Sequence, residues 1–203
     1  MSKRDVFINC PFSKDYEPYF HAIVFVVIRS GFKPRCALES DDSGDNRFGK
    51  ICQIIADCDL GVHDISKTEL DSRTSLPRFN MPLELGLFLA AKRFGDRDQK
   101  RKKCIIFESR QYDYQKFMSD IAGQDIHFHR KSLKTLIEKL GSWLRRETGD
   151  EVVPGGSAIH AEYRSFKKDL PKLCKAAKLK QREMIFSELC RFIENWIVSS
   201  PTS

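Results

Sequence analysis

Five short apolar runs, each followed by a stretch of helical period, constrain this chain more than any other feature. The runs are Asp5–Cys10, Phe32–Leu38, Asp59–Ile65, Lys103–Phe107 and Asp125–His127. Helical patterns follow them over 15–30, 47–57, about 81–91, 112–121 and 132–147. In the first, Tyr19, Ile23, Val26 and Val27 recur at helical spacing, and Gly31 ends the helix. Strands alternating with helices at this spacing predict parallel βαβ units and a doubly wound α/β sheet.

In such a sheet, ligands bind outside the carboxyl ends of the strands. The loops after the first three runs, Asn9–Ser13, Ser40–Arg47 and Asp64–Asn80, should all open on that edge. The last of them leads into Leu76–Ala91, where Glu84 is the one ionisable residue between Met81 and Ala91. That pattern predicts a helix apolar nearly all round and buried on most sides. Asn80 is read as its cap, and Pro82 is tolerated in a first turn whose amides lack helical partners. Glu84 then sits about one turn in. A carboxylate in a buried helix is costly unless something satisfies it. Glu84 therefore either complements the helix dipole or serves a functional site.

Other polar groups gather on the same edge. Asp41, Ser43 and Asp45 mimic the start of a calcium loop, but Asn46 and Cys52 stand where glycine and glutamate are required. The loop reads instead as a turn with Asp45 or Asn46 capping the next helix, or as a phosphate or ribose contact through Arg47 and free helix amides. His63 sits in a buried strand and reads as a satisfied core histidine. Asp64 ends that strand at the carboxyl edge and is the better site candidate. Phe12 and Phe79 are suited to stack on a ring, while Asn9, Ser43 and Asn80 are suited to hold ribose hydroxyls.

Composition narrows the function classes. At 203 residues, with 41% hydrophobic and 31% charged, the chain reads as globular rather than disordered. No window approaches the roughly 18 apolar residues of a membrane span. Met1–Asp5 runs straight into a strand pattern, so no signal peptide is read. The seven cysteines are an odd number, fall in runs that read as buried, such as those of Cys52, Cys104 and Cys190, and form no CxxC pair. Reduced thiols in a cytoplasmic protein, without a metal site, are expected. The net charge of +7 gathers in 92–103 and 164–182. Phe94 is the one aromatic residue in the first run, which argues against direct nucleic-acid binding.

Thr148-Gly149-Asp150 and Pro154-Gly155-Gly156 mark a linker. They divide the chain into an α/β domain, 1–148, and a C-terminal helical appendage, 149–203. His160–Leu170 and Gln181–Val198 read as two amphipathic helices around Pro171. A pair of this size lacks a core of its own, so it should pack on the sheet domain or build a homo-oligomer or partner-protein contact.

At this point the residues carry a resemblance. Asp5-Val6-Phe7-Ile8, then Ser43-Gly44-Asp45 before Ile51, Ile54 and Ile55, then Cys58-Asp59-Leu60-Gly61-Val62 with Ser66, resemble successive elements of Toll/interleukin-1 receptor (TIR) domains. Glu84-Leu85 matches the position of that family's catalytic glutamate. Cys10-Pro11-Phe12 and Glu84-Leu85-Gly86 are also similar to motifs of the related nucleoside 2-deoxyribosyltransferases. Arg78-Phe79-Asn80-Met81-Pro82 stands where TIR domains carry a tryptophan–cysteine neighbourhood, and the transferases' Asp-Gly-Thr is absent. The resemblance covers about residues 5–145. It implies a flavodoxin-like three-layer sandwich with a five-stranded, mostly parallel sheet, plus the C-terminal helical pair.

Both families break the bond between a sugar's anomeric carbon and a nitrogen. Departure of the base leaves an oxocarbenium-like centre that a carboxylate can stabilise or trap. NAD carries its leaving group as a pyridinium cation and needs no general acid, whereas a neutral nucleobase needs a proton donor. Asp64 is the best second carboxylate to fold beside Glu84, and its lone candidacy favours NAD. The leading expectation is a TIR-like enzyme that hydrolyses or cyclises NAD, as a substrate rather than a cofactor, in prokaryotic antiviral defence or stress signalling. A nucleoside N-glycosidase or deoxyribosyltransferase is the second reading, and a non-catalytic nucleotide-sensing or assembly module the third. The resemblance assigns Glu84 to catalysis, and a place at the carboxyl edge adds Asp64. The edge loops and the resembling motifs together make Asn9, Cys10, Pro11, Phe12, Ser43, Gly44, Asp45, Arg47, Ser66, Arg78, Phe79 and Asn80 the candidates for substrate binding.

Overall fold

Val6, Phe7, Ile8 and Asn9 of the first strand, β1 (Asp5–Asn9), are all buried, because helices cover both faces of the sheet. The computed structural model describes residues 5–39, 44, 46–66, 79–116, 118–148 and 153–200. Its other strands are β2 (Lys33–Arg35), β3 (Leu60–Asp64), β4 (Lys103–Glu108) and β5 (Ile126–Phe128). All five pair in parallel in the order 2-1-3-4-5. The chain is thus an α/β, flavodoxin-like three-layer sandwich. Its strand order reverses between β1 and β3, where Asn9 lies in register with His63.

Side-chain alternation along β1 sorts the two faces. Val6 and Ile8 join the core under α1 (Glu17–Arg29) and α4 (Leu133–Thr148). Phe7 points the other way, toward α2 (Arg47–Asp57) and Phe88 of α3 (Asn80–Phe94). β2 is shorter than the run Phe32–Leu38. Pro34 has no N–H to donate and suits only an edge strand. Just beyond, Glu39 turns back to bond the carbonyl of Cys36 at 3.1 Å. Arg35 donates to Asp5 and to both carboxylate oxygens of Glu39, each at 2.7 Å, which fixes that turn.

The C-terminal helices α5 (Gly156–Ala176) and α6 (Phe186–Ser199) lie on the outer side of the α1/α4 layer and extend the same hydrophobic core. This is why every residue of α1 from Phe20 to Val27 is buried. The α4–α5 crossing is close enough to require glycine. A Cβ on Gly156 would stand 2.5 Å from the carbonyl oxygen of Glu138, and one on Gly141 would stand 3.2 Å from the Cα of Gly156. Polar ties reinforce the docking. Arg29 forks onto Glu162 at 2.6 and 3.1 Å, and the Tyr163 hydroxyl donates to the carbonyl of Pro18 at 3.1 Å.

Several local expectations are corrected. α3 is not buried on most sides. Met81, Leu85 and Phe88 form one buried stripe, while Leu83 is 54% exposed on the opposite side. Asn80 is the first helical residue rather than the cap; Phe79 holds the cap position without a side-chain bond. The helix expected over 112–121 resolves into two 3₁₀ turns, Asp113–Lys116 and Ser119–Ile121. The Glu108 carboxylate anchors the first of them by accepting the Tyr114 amide at 3.0 Å. α5 runs through Pro171 without ending. Burial of Phe166, Leu170 and Cys174 on either side of it offsets the lost amide bond, which costs about 3 kcal/mol.

Lys102, within the basic stretch 92–103, is fully buried. Its ammonium donates to the carbonyls of Ile55 and Cys58 at the end of α2, the end of a helix where a cation is favoured. All seven cysteines are free thiols. Cys10, Cys36, Cys58 and Cys174 are the buried ones, while Cys52, Cys104 and Cys190 are half-buried. Among the described residues, no helix is long and apolar enough to cross a membrane.

Candidate functional site

Asn9 ties the switch point together. Its amide nitrogen donates to the carbonyl of Met81 at 2.8 Å and to Nδ1 of His63 at 3.0 Å. One side chain thus joins the ends of β1 and β3 to the first turn of α3. The bond leaves His63 Nδ1 unprotonated and the proton on Nε2. That nitrogen has no hydrogen-bond partner among the described residues, and the ring stands edge-on to Phe88 at 4.9 Å. Burial pushes His63 down to about 3, so it stays neutral; it is a core histidine as read, but satisfied at Nδ1 alone among the described residues.

Pinned in this way, the first turns of α3 carry Glu84 on the margin of the buried stripe, one position before Leu85 and four before Phe88. This margin faces α2, because Leu87 and Ala91 on the same side pack into the cluster containing Ile51, Ile54 and Ile55. Glu84 is half-buried and has no hydrogen bond or ion pair among the described residues. Burial pushes it up to about 7, and the guanidinium of Arg47 opposes that rise. Arg47 opens α2 just after Asn46, whose side chain caps the helix by accepting the amides of Phe48 and Gly49 at 2.9 and 3.2 Å. Asn46 is one of the two caps read from the sequence.

Asp64 does not fold beside Glu84 as expected: His63 faces Phe88 of α3, so its neighbour Asp64 points to the opposite face of the sheet, where it meets Tyr16. Both carboxyls act on the Cys10 thiol, which burial first, then Asp64, Cys36 and Glu84, push well up. Glu84 also acts on Cys36, at the end of β2. Asp64 is fully enclosed. Its Oδ1 accepts the Ser66 amide at 2.9 Å, and its Oδ2 accepts the Tyr16 hydroxyl. Nε2 of His129 lies 3.3 Å from the same oxygen and 2.9 Å from the Ser66 hydroxyl. His129 Nδ1 accepts the Lys131 amide at 3.1 Å, so the Nε2 proton faces Ser66 and Asp64. With both oxygens engaged, Asp64 holds Ser66 just after β3 rather than presenting a free carboxylate.

The remaining candidates divide. Asn9, Cys10 and Pro11 are buried; Phe12, Gly44, Arg47, Phe79 and Asn80 are exposed along the edge; Ser66 joins the Asp64 network. Ser43, Asp45 and Arg78 lie outside the described residues. Tyr16, Glu108 and His129 were not singled out from the sequence. Glu108 ends β4 and His129 follows β5, so the carboxyl-edge rule applied to all five strands would have found both. Burial pushes Glu108 up to about 7, with the Tyr114 amide opposing.

Beside Arg47 a cleft of about 600 Å³ opens between the β1–α1 loop, the β2–α2 turn and residues 181–189 before and within α6. Phe12 and Arg47 line it; Glu84 and Asp64 do not. Among the described residues, no group of three or more histidine, cysteine, aspartate or glutamate side chains is placed to hold a metal ion. No family model matches this chain, and no curated protein or solved structure matches it either.

Proposed function

We propose that the protein cleaves the N-glycosidic bond of NAD, hydrolysing or cyclising it, with Glu84 as the central carboxylate. The observation that carries this reading is Glu84 itself. It is a half-buried carboxyl without a hydrogen-bond partner among the described residues, at the carboxyl edge of a doubly wound sheet, facing a cation. Ionised, it stabilises the oxocarbenium-like sugar as nicotinamide departs, or traps it covalently until water arrives. A bound pyridinium would itself favour the ionised form. Arg47 supplies a cation for the pyrophosphate. Asp64, Tyr16 and His129 act as positioning residues for Ser66 just after β3. The resemblance to TIR domains supports the same chemistry and extends it to antiviral defence or stress signalling.

A second reading, a nucleoside N-glycosidase or deoxyribosyltransferase, has one specific observation in its favour. A carboxyl raised to about 7 is partly protonated at neutrality and can donate to a neutral leaving base. Chromatography of NAD and of deoxynucleosides incubated with the full-length protein, beside a Glu84→Gln control, tests both. Nicotinamide release that depends on Glu84 supports the first reading. Base release from nucleosides alone supports the second.

A further inference from the structure

The cleft beside Arg47 has a wall that the α/β layers do not supply. Gln181, Arg182, Met184, Ile185 and Phe186, from the approach to α6, form that side. The floor is aromatic and continuous across the join. Phe12 meets Phe20 edge-on at 5.3 Å, and Phe20 lies against Phe186 at 6.0 Å. Phe12 is 38% exposed and Ile185 61% exposed, so both offer apolar surface to the opening.

Among the described residues that line the cleft, cations outnumber acids. Lys14, Arg47 and Arg182 are exposed cations lining the cleft. Lys14 and Arg47 have no hydrogen bond or ion pair among the described residues, and Arg182 approaches only Glu183, at 3.7 Å on the surface. Of the two acids, Glu39 is held by Arg35 through two bonds of 2.7 Å. Glu17 is left, 3.6 Å from His21, which burial pushes down to about 4 and so keeps neutral. An excess of cations among the described lining residues over an aromatic floor, in a volume within the range of small-molecule sites, selects an anion that carries a ring.

We propose that this cleft binds a nucleoside phosphate, its phosphates between Arg47 and Arg182 and its base against Phe12 and Ile185, so that the C-terminal segment is a specificity-determining wall of the site. The assignment rests on the reading of this edge as a nucleotide site, through Arg47, which adjoins both the cleft and Glu84. It does not depend on turnover.

Calorimetric titration of the full-length protein with ADP, which has no scissile pyridinium, tests it. ADP should bind wild type and Glu84→Gln with Kd values within about twofold of each other. Arg182→Ala should weaken binding at least fivefold with an unchanged melting temperature, because Arg182 is on the surface, and Ile185→Asp should weaken it similarly. Inorganic pyrophosphate should bind more weakly than ADP; equal binding would remove the base from the site and overturn the proposal. Absence of ADP binding at millimolar concentration, or wild-type affinity in Arg182→Ala, would also overturn it. If Glu84→Gln still releases nicotinamide while ADP binds as expected, the catalytic reading fails and the cleft stands. If wild type consumes NAD but does not bind ADP, the cleft fails alone.

Discussion

Arg47 and Glu84 face each other from the opening turns of adjacent helices, and the guanidinium holds down a carboxyl that burial drives up to about 7. The balance between those two effects sets what Glu84 can do at neutral pH.

Glu84→Gln should abolish turnover and keep the fold. The change is nearly isosteric and removes the charge that stabilises a cationic transition state. Retention of more than about a tenth of the wild-type rate, a loss below roughly 1.4 kcal/mol, would show that Glu84 is not the central carboxylate.

The pH profile separates the two chemistries. If ionised Glu84 does the work, kcat/KM for NAD rises with pH and is half-maximal near 7. An acid role gives the opposite slope. Stability moves the other way from the first case. A carboxyl raised from 4.5 to about 7 is stabilising while protonated, and that contribution is lost as pH rises through 7. Denaturant titrations at pH 5 and pH 8 should therefore differ less in Glu84→Gln than in wild type.

Arg47→Ala should raise KM for a pyrophosphate-bearing substrate by about threefold or more while changing kcat less, as loss of uniform binding does. It should also carry the midpoint of the pH profile upward, because the opposing cation is gone. An unchanged KM and an unchanged midpoint would retire Arg47 from the site.

How much of this was legible in the sequence is best seen in two helices. Met81–Ala91 reads as apolar on most sides, while the first helix reads as one stripe of Tyr19, Ile23, Val26 and Val27; the structure reverses the two. From Phe20 to Val27, α1 is buried all round because α5 and α6 cover it; α3 buries one stripe and leaves Leu83 outside. Periodicity reports what a helix is able to bury, and the partner that buries it lies far along the chain. The alternation of strands and helices and the place of Glu84 about one turn into a helix followed from local pattern. The Asn9 bridge to Met81, 72 residues away, could not, since nothing local distinguishes it from a ribose contact.

Gly156→Ala should destabilise the protein by about 1–3 kcal/mol, despite alanine's better helix propensity, because the new Cβ would meet the backbone of Glu138 at 2.5 Å. Urea denaturation measures it. A neutral or stabilising result would mean that the two helices can part without cost.

Removing residues 151–203 should do more than shrink an assembly. It uncovers Phe25, which packs against Tyr163, Phe166 and Trp196. The shortened chain should melt well below full length or aggregate, and thermal denaturation with light scattering would detect either. An equally stable, monodisperse product would make the C-terminal helices a separate body.

The docking of α5 and α6 has a kinetic consequence for the cleft. Its outer wall hangs from a helix whose Leu189 and Ile193 are buried in the common core, and whose Trp196 is bonded to Asp169 of α5 at 3.0 Å. Such a wall cannot serve as a door. A visiting molecule enters through the open mouth, and association should be a single fast phase with a rate proportional to concentration and no plateau.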